Sequence, residues 1–360
     1  MGTDFRLNDG ELLMRIRKNQ KKYIPKPNRR EIFTIILLIT EIVVFSIISP
    51  YFASFKNLET VLRNSTDLAV VSIGMTMVMI LGGIDISVGS ALGVVAIFVG
   101  WMLQAEINPI LIGIVAITTG LLIGVVNGFL VTKARIPAII ATLGISNLLR
   151  ALIFGMLGGR WLTSLPHDFG LFTKGHLFGI PIPIFLLGIF YSIFWLFLTF
   201  TATGRHIYAV GNNAEATKLS GVNSEKTMMI AFMLLGSLVG FSALIYVGRL
   251  ASVEITVGLD LPMSAIAATV IGGTSVKGGK GSVVGTLAGV LFIAIMKNGI
   301  VLLGIPSLWE RAVVGLLIVI SVLADLFIGY RSDKKQRELL SKQRLQMQMS
   351  QKGIIERNQI

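Results

Sequence analysis

Cysteine is absent from the 360 residues, which excludes disulfides, thiol chemistry and cysteine-bound metals. Charge is scarce too. Charged residues make up 14% of the chain, against roughly 25% in a soluble domain, and hydrophobic residues make up 53%. A large soluble domain is thereby excluded. Histidine occurs three times, at His167, His176 and His206, and no pair has a metal-ligand spacing. No Gly-x-Ser-x-Gly elbow or carboxylate pair suggests catalysis. The stretch "GGTSVKGGKGS" fails as a phosphate-binding loop, because Thr274 stands five positions before Gly279 and Gly281 follows Lys280. Without a nucleotide motif the chain cannot draw on ATP by itself. Neither an enzymatic role nor a bound cofactor is expected.

What the chain does have is length in apolar runs. Breaks at Gly, Pro and charged residues divide it into ten helices, about 31–51, 66–82, 88–104, 108–131, 136–157, 183–201, 227–248, 262–273, 282–303 and 308–328. The second and eighth are short. The expected fold is an all-α integral membrane protein, with a basic N-terminal arm over 1–31, a transmembrane domain over 32–328 and a basic C-terminal tail over 329–360. No small-residue cleavage site follows the first run, so it reads as a retained helix rather than a signal peptide.

The formal net charge of +13 would suggest nucleic acid in a soluble protein. Its distribution points instead to membrane topology. Threaded from an inside N-terminus, Lys and Arg number nine before Ile32, two at Lys133 and Arg135, three in 202–226, two at Lys277 and Lys280 and eight after Tyr330. The opposite loops hold five: Lys56, Arg63, Arg160, Lys174 and Arg249. That asymmetry places both termini in the cytoplasm.

A carboxylate interrupts this apolar chain at "GGIDISVGSA". Asp85 lies at the inner end of the second and third helices, where a charge needs a partner, water or a proton. It either caps the third helix, whose amides begin near Ser87, or lines a solute route. Gly82 and Gly83 free the backbone for a break, and Gly89 permits close helix approach. A second break, Gly272-Gly273, repeats the first at an offset of 190, while "VGSALG" from Val88 and "VGTLAG" from Val284 repeat at 196. Both copies run in the same direction, which makes a parallel internal repeat with short broken helices. Glu41, Arg150 and Lys297 are the other ionisable residues at depth. Each is expected to face protein or water, either in a structural pair or along a pathway.

Between the sixth and seventh spans lies "TGRHIYAVGNNAEATKLSGVNSEKT". A helix start at Asn212 or Asn213, helix formers in "AEATKL" and a left-handed stop at Gly221 predict a two-turn helix. A helix this short is unstable alone and needs a surface to lie on.

That loop, together with "GMTMVMILGGIDISVGS", "IPAIIATLGISNLLRA" and "AIAATVIGGTSVKGGKGSVVGTLAGVL", resembles the ribose, xylose and arabinose branch of sugar-importer permeases, from about Leu58 to Asp325. The resemblance implies a subunit of an ATP-binding-cassette importer that pairs with a second permease copy and docks separate ATPase subunits. A periplasmic or lipid-anchored binding protein would deliver a small sugar-like molecule. Asn212, Asn213, Glu215, Ala216, Gly221 and Val222 would form the ATPase-coupling loop, and Gly82, Gly83, Asp85, Gly89, Gly272 and Gly273 the helix breaks or pathway. Ile86 departs harmlessly from the family's Leu, and Lys297 stands where relatives often carry an uncharged residue. The stretch "LGGRWLTSLP" from Leu157 also resembles the autoinducer-2 permease, which puts that molecule slightly ahead of any one pentose or deoxyhexose. An ion-gradient-driven secondary transporter is the rival reading, and a membrane enzyme the third.

Overall fold

The computed structural model describes residues 29–166 and 175–323. Residues 1–28 of the basic arm, the C-terminal tail, His167 and Lys174 lie outside these residues, and Arg29 to Glu31 open the first helix instead. The described chain is helical except for one small hairpin. Its helices are α1 (Arg29–Ile48), α2 (Phe55–Ile80), α3 (Val88–Gln104), α4 (Pro109–Thr132), α5 (Ala138–Leu157), α6 (Ile182–Phe200), α7 (Ala202–Asn212), α8 (Ala214–Leu219), α9 (Ser224–Leu250), α10 (Leu261–Ile271) and α11 (Val283–Leu302). Helical backbone, here α12, continues over 308–323. The hairpin pairs β1 (His176–Leu177) with β2 (Ile180–Pro181), a small departure from the all-α expectation.

Local chemistry sets most boundaries. The Asn108 side chain accepts from the amide of Ile110 ahead of Pro109, and Gly158 closes α5 in the left-handed conformation at φ 57°. Six helices among the described residues, α1, α4, α5, α6, α9 and α11, are long and apolar enough to cross a membrane.

One expectation needs correction. The second helix is not short: it runs for 26 residues, and Lys56 and Arg63, assigned above to a loop, lie within it. Ser54 starts it by accepting from Asn57, eleven residues before the expected boundary. The charges and polar residues of its first turns disguised it. From Ser65 to Ile80 every residue is buried, with α9, α10, α11 and α6 packed around it, so lipid does not dictate its composition.

The most extensive crossing joins α4 to α9, and it is made by small residues at four-residue spacing. A Cβ on Gly120 would fall 2.2 Å from the Gly236 carbonyl oxygen, and one on Gly236 would fall 2.2 Å from that of Gly120. Gly124 and Gly240 meet the backbones of Phe232 and Ala116 equally closely. Backbones in contact maximise dispersion where lipid supplies no hydrophobic drive between helices.

The helix ends sort into two groups. At one end, Lys133 at the close of α4 pairs with Glu225 at the start of α9 at 2.7 Å, and Thr34 near the start of α1 donates to the carbonyl of Ile271 at the close of α10. At the other, Asn57 near the start of α2 bonds Asn298 near the close of α11, and Leu162 bridges Val253. Successive long helices therefore alternate in direction.

Gly236→Leu is expected to destabilise the fold by at least the about 1–3 kcal/mol typical of overpacking, and so to lower the thermal unfolding temperature in detergent, read by circular dichroism. Gly144→Leu, at a glycine with nothing within 4 Å of its added Cβ, should leave it unchanged.

Candidate functional site

Two interrupted helices, α2 and α10, stop at the same end of the bundle, and their stops are built alike. After α2, Gly82 at φ 80° donates to Met79 and Gly83 donates to Val78; after α10, Gly273 at φ 93° donates to Val270 and Thr274 donates to Thr269. Such paired bonds satisfy the carbonyls that a helix end leaves free. Only a left-handed residue closes them, which is why glycine stands at each. These bonds align Gly82 with Gly273, at an offset of 191 rather than the 190 read from the Gly-Gly pairs. Gly272 instead remains right-handed, and its Cα lies against the Gly285 carbonyl.

Asp85 sits in the turn after the first stop and is buried. Its Oδ1 accepts from the Ser87 amide at 2.8 Å and the Ser87 hydroxyl at 2.6 Å, and its Oδ2 accepts from Asn127 Nδ2 at 3.1 Å. The N-cap residue of α3 is Ser87, so Asp85 holds the entry to the helix from two residues upstream. Asn127 on α4 was not singled out from sequence. Its side chain ties Asp85 and Ser87 together, donating to the Ser87 hydroxyl at 2.7 Å. The next amide, Ile86, donates to Thr142 on α5. Gly89 lies under the Gly258 carbonyl, where a Cβ would come within 2.0 Å.

The segment between α6 and α9 lies across both stops. It forms two helices where the sequence suggested one: α7 ends at Asn212, and Asn213 caps α8 by accepting from Ala216 at 2.9 Å. Gly221 ends the unit at φ 82°, as the sequence suggested. The hydroxyl proton of Thr217 is shared between the carbonyls of Asn213 at 2.6 Å and Ala209 at 2.9 Å, and Thr217 is the buried side chain of α8, which seats α8 on α7. Glu215 and Ala216 are exposed, Val222 is half-buried, and Leu219 is 91% exposed. Sequence reasoning overlooked that leucine, since one apolar residue in six has no periodicity.

α7 is locked to the broken helices through backbone. The Gly279 amide donates to the Ile80 carbonyl at 2.7 Å, joining the loop after α10 to the end of α2. Gly211 of α7 packs onto the same pair, where a Cβ would fall 1.9 Å from the Ile80 oxygen and 2.9 Å from the Gly279 nitrogen. Tyr208 donates from its hydroxyl to Gly281 at 3.0 Å. Burial, assisted by the Glu31 carboxylate, pushes this phenol up to about 12, so it remains a donor at any physiological pH. α7 thus touches the backbone of both helix stops, and α8 is seated on α7.

The opposite end holds a cavity of about 470 Å³ between α2, α9, α10 and α11. Arg249, assigned above to a loop, closes α9 instead and reaches Asp67 on α2 at 2.9 Å and Asn64 at 3.2 Å. Lys297 donates to the Ser264 hydroxyl at 3.0 Å beside the same cavity. Arg150 is held by the carbonyls of Ile255 and Val257 at 3.1 and 2.9 Å. Glu41 has one carboxylate oxygen buried without a partner among the described residues. The described residues hold no group of three side chains suited to a metal ion.

Comparison with known proteins adds the following. Residues 57–322 match the family described as "Branched-chain amino acid transport system / permease component". The ribose import permease protein of Haemophilus influenzae is 38% identical over 82% of this chain and 92% of its own length. That of Bacillus subtilis is 36% identical over 79% and 89%. The autoinducer 2 import system permease protein of Yersinia pseudotuberculosis is 33% identical over 81% and 83%. No solved structure matches the chain significantly.

Asp85→Leu strands two donors of Ser87 and one of Asn127, each costing about 1–3 kcal/mol, and should abolish a stable fold in thermal unfolding. Asp85→Asn keeps an acceptor for Ser87 and should cost only about 1 kcal/mol.

Proposed function

This chain belongs to the branched-chain amino acid transport system permease component family, and from that premise we propose that it carries a ribose-like pentose inward under the drive of separate ATPase subunits. It is a permease of a sugar importer of the ATP-binding-cassette type, a multi-pass membrane protein and a transport subunit rather than an enzyme. The observation that carries the finer reading is α8. A six-residue helix cannot hold itself together in water, yet it is displayed outward with Leu219 bare, which is what a docking element for a motor subunit requires.

In this reading the α7–α8 end is cytoplasmic and contains both termini, ten helices span the inner membrane, and α2–α3 and α10–α11 form a parallel repeat. The Lys and Arg bias of the loops supports the orientation. The matched hydrogen bonds of the two stops support the repeat. Two permease copies form the route, and a binding protein delivers the sugar to the opposite end. ATP binding in the motor pushes α8, and the Gly211–Ile80–Gly279 stack passes the movement to the helix stops, shifting the pair between outward-open and inward-open states. Asp85 keeps the α3 entry rigid while this occurs.

For the substrate, the ribose permeases exceed the autoinducer-2 permease in identity, and this favours a pentose over the molecule suggested by "LGGRWLTSLP" alone. Part of that loop is structural: Leu162 and Leu165 bond the backbone at Val253 and Ala251. Vesicles containing the full importer should take up D-ribose with ATP, and autoinducer-2 should compete poorly. Stronger uptake of autoinducer-2 would overturn the substrate reading, and uptake driven by an ion gradient without the ATPase would overturn the class.

Glu215→Arg and Gly221→Pro alter the face and the stop of α8 without touching buried contacts. Each should insert normally yet cut ATP-driven uptake at least about tenfold, equal to about 1.4 kcal/mol of lost coupling, while the ATPase continues to turn over. Full uptake in both would remove α8 from the coupling path.

A further inference from the structure

We propose that the cavity between α2, α9, α10 and α11 is a solute-binding subsite within each single permease copy, built for a neutral polyhydroxylated molecule. It rests on the sugar-transport reading above and deepens it. At about 470 Å³ the cavity falls within the range of small-molecule sites, and it lies at the end away from α8, where solute would arrive.

Its chemistry selects the ligand class. Both hydrogen-bond donors and acceptors line it, and its charges are partly paired: Arg249 neutralises Asp67 at 2.9 Å, Lys297 shares the wall with Glu254 and Glu310, and Asp260 is neutralised at 2.8 Å by Arg311, which stands outside the lining. An anion would meet more carboxylates than cations. A divalent cation lacks a cluster of ligands among the described residues. Vicinal hydroxyls, each both donor and acceptor, suit a wall where carboxylate and guanidinium stand side by side.

The Asp67–Arg249 pair also has capacity to spare. Arg249 spends one terminal nitrogen on Asn64 and the other on Asp67, while its Nε is buried without a partner among the described residues. The pair is held in place from behind, since Ser242 donates to the Asp67 carbonyl at 2.8 Å. Each terminal nitrogen of Arg249 carries a second hydrogen beside the one given to Asn64 or Asp67, and a solute oxygen in the cavity can accept it. Held groups of this kind lose little entropy on binding.

The natural lack of cysteine makes a direct test simple. Thr60→Cys and Thr256→Cys place single thiols at exposed positions of the cavity wall, and Thr163→Cys places one at the same end but outside it. The full importer in vesicles is labelled with a membrane-impermeant maleimide across a D-ribose series. A bound sugar slows labelling by one plus its concentration over Kd, about fivefold at four times Kd. The expected result is slowing at both cavity thiols and none at Thr163→Cys, with the half-protecting concentration raised about tenfold by Asp67→Asn. Where labelling is not slowed although the same vesicles import ribose, the subsite is refuted and the transport reading stands. Where ribose is not imported, the ribose reading fails, and the labelling is judged with the pentose or autoinducer-2 that is imported. Protection by sodium chloride equal to that by sugar would refute the polyol assignment.

Discussion

Hydrocarbon offers no hydrogen bonds, so a chain crossing a membrane must pair every backbone amide and carbonyl internally. That constraint governs the two places where this fold interrupts its helices. The stops after α2 and α10 close their own free carbonyls with left-handed glycines, and the carbonyl of Ile80 receives the Gly279 amide from the other break. Both interruptions are consequently part of one backbone assembly. α7 lies on it at Gly211, and the exposed α8 is fastened to α7 by Thr217. Under the coupling role proposed above, the link from α7 to the membrane helices would be made of main chain.

The same solvent logic explains where polar residues are tolerated. α2 carries Asp67, Ser72 and Thr76 at depth because neighbouring helices, not lipid, surround it from Ser65 to Ile80. Thr76 meets Thr286 of α11 at 2.6 Å, and Asp67 meets Arg249. α5, in contrast, exposes Ile139, Ile140, Leu143 and Leu148, and is apolar as lipid demands. Composition therefore reports the surroundings of a helix rather than whether it exists. Boundaries drawn from apolar runs consequently placed the start of α2 eleven residues late.

The candidate sites divide along the axis of the bundle. Glycine stops and α8 occupy one end, and the charged cavity the other, with the fully buried part of α2 between them. Under the transport reading proposed above, a rearrangement at one stop would shift α2, and with it the Asp67 side of the cavity, and the work would lie in moving packed helices between two arrangements.

By itself the sequence determined the membrane class, nearly every helix, the uneven distribution of Lys and Arg among the loops, the Gly-Gly stops and a short helix starting at Asn212 or Asn213 and ending at Gly221. These are local or compositional signals: period, charge and special backbone angles are all carried by neighbouring residues. Tertiary structure alone decided that Asn127 serves Asp85, that Arg249 belongs to Asp67 across 182 residues, that Gly211 meets Ile80 and Gly279, and that α4 and α9 touch backbone to backbone. Those partners lie far apart in the chain, and no local pattern records which distant residue a folded helix will bring alongside.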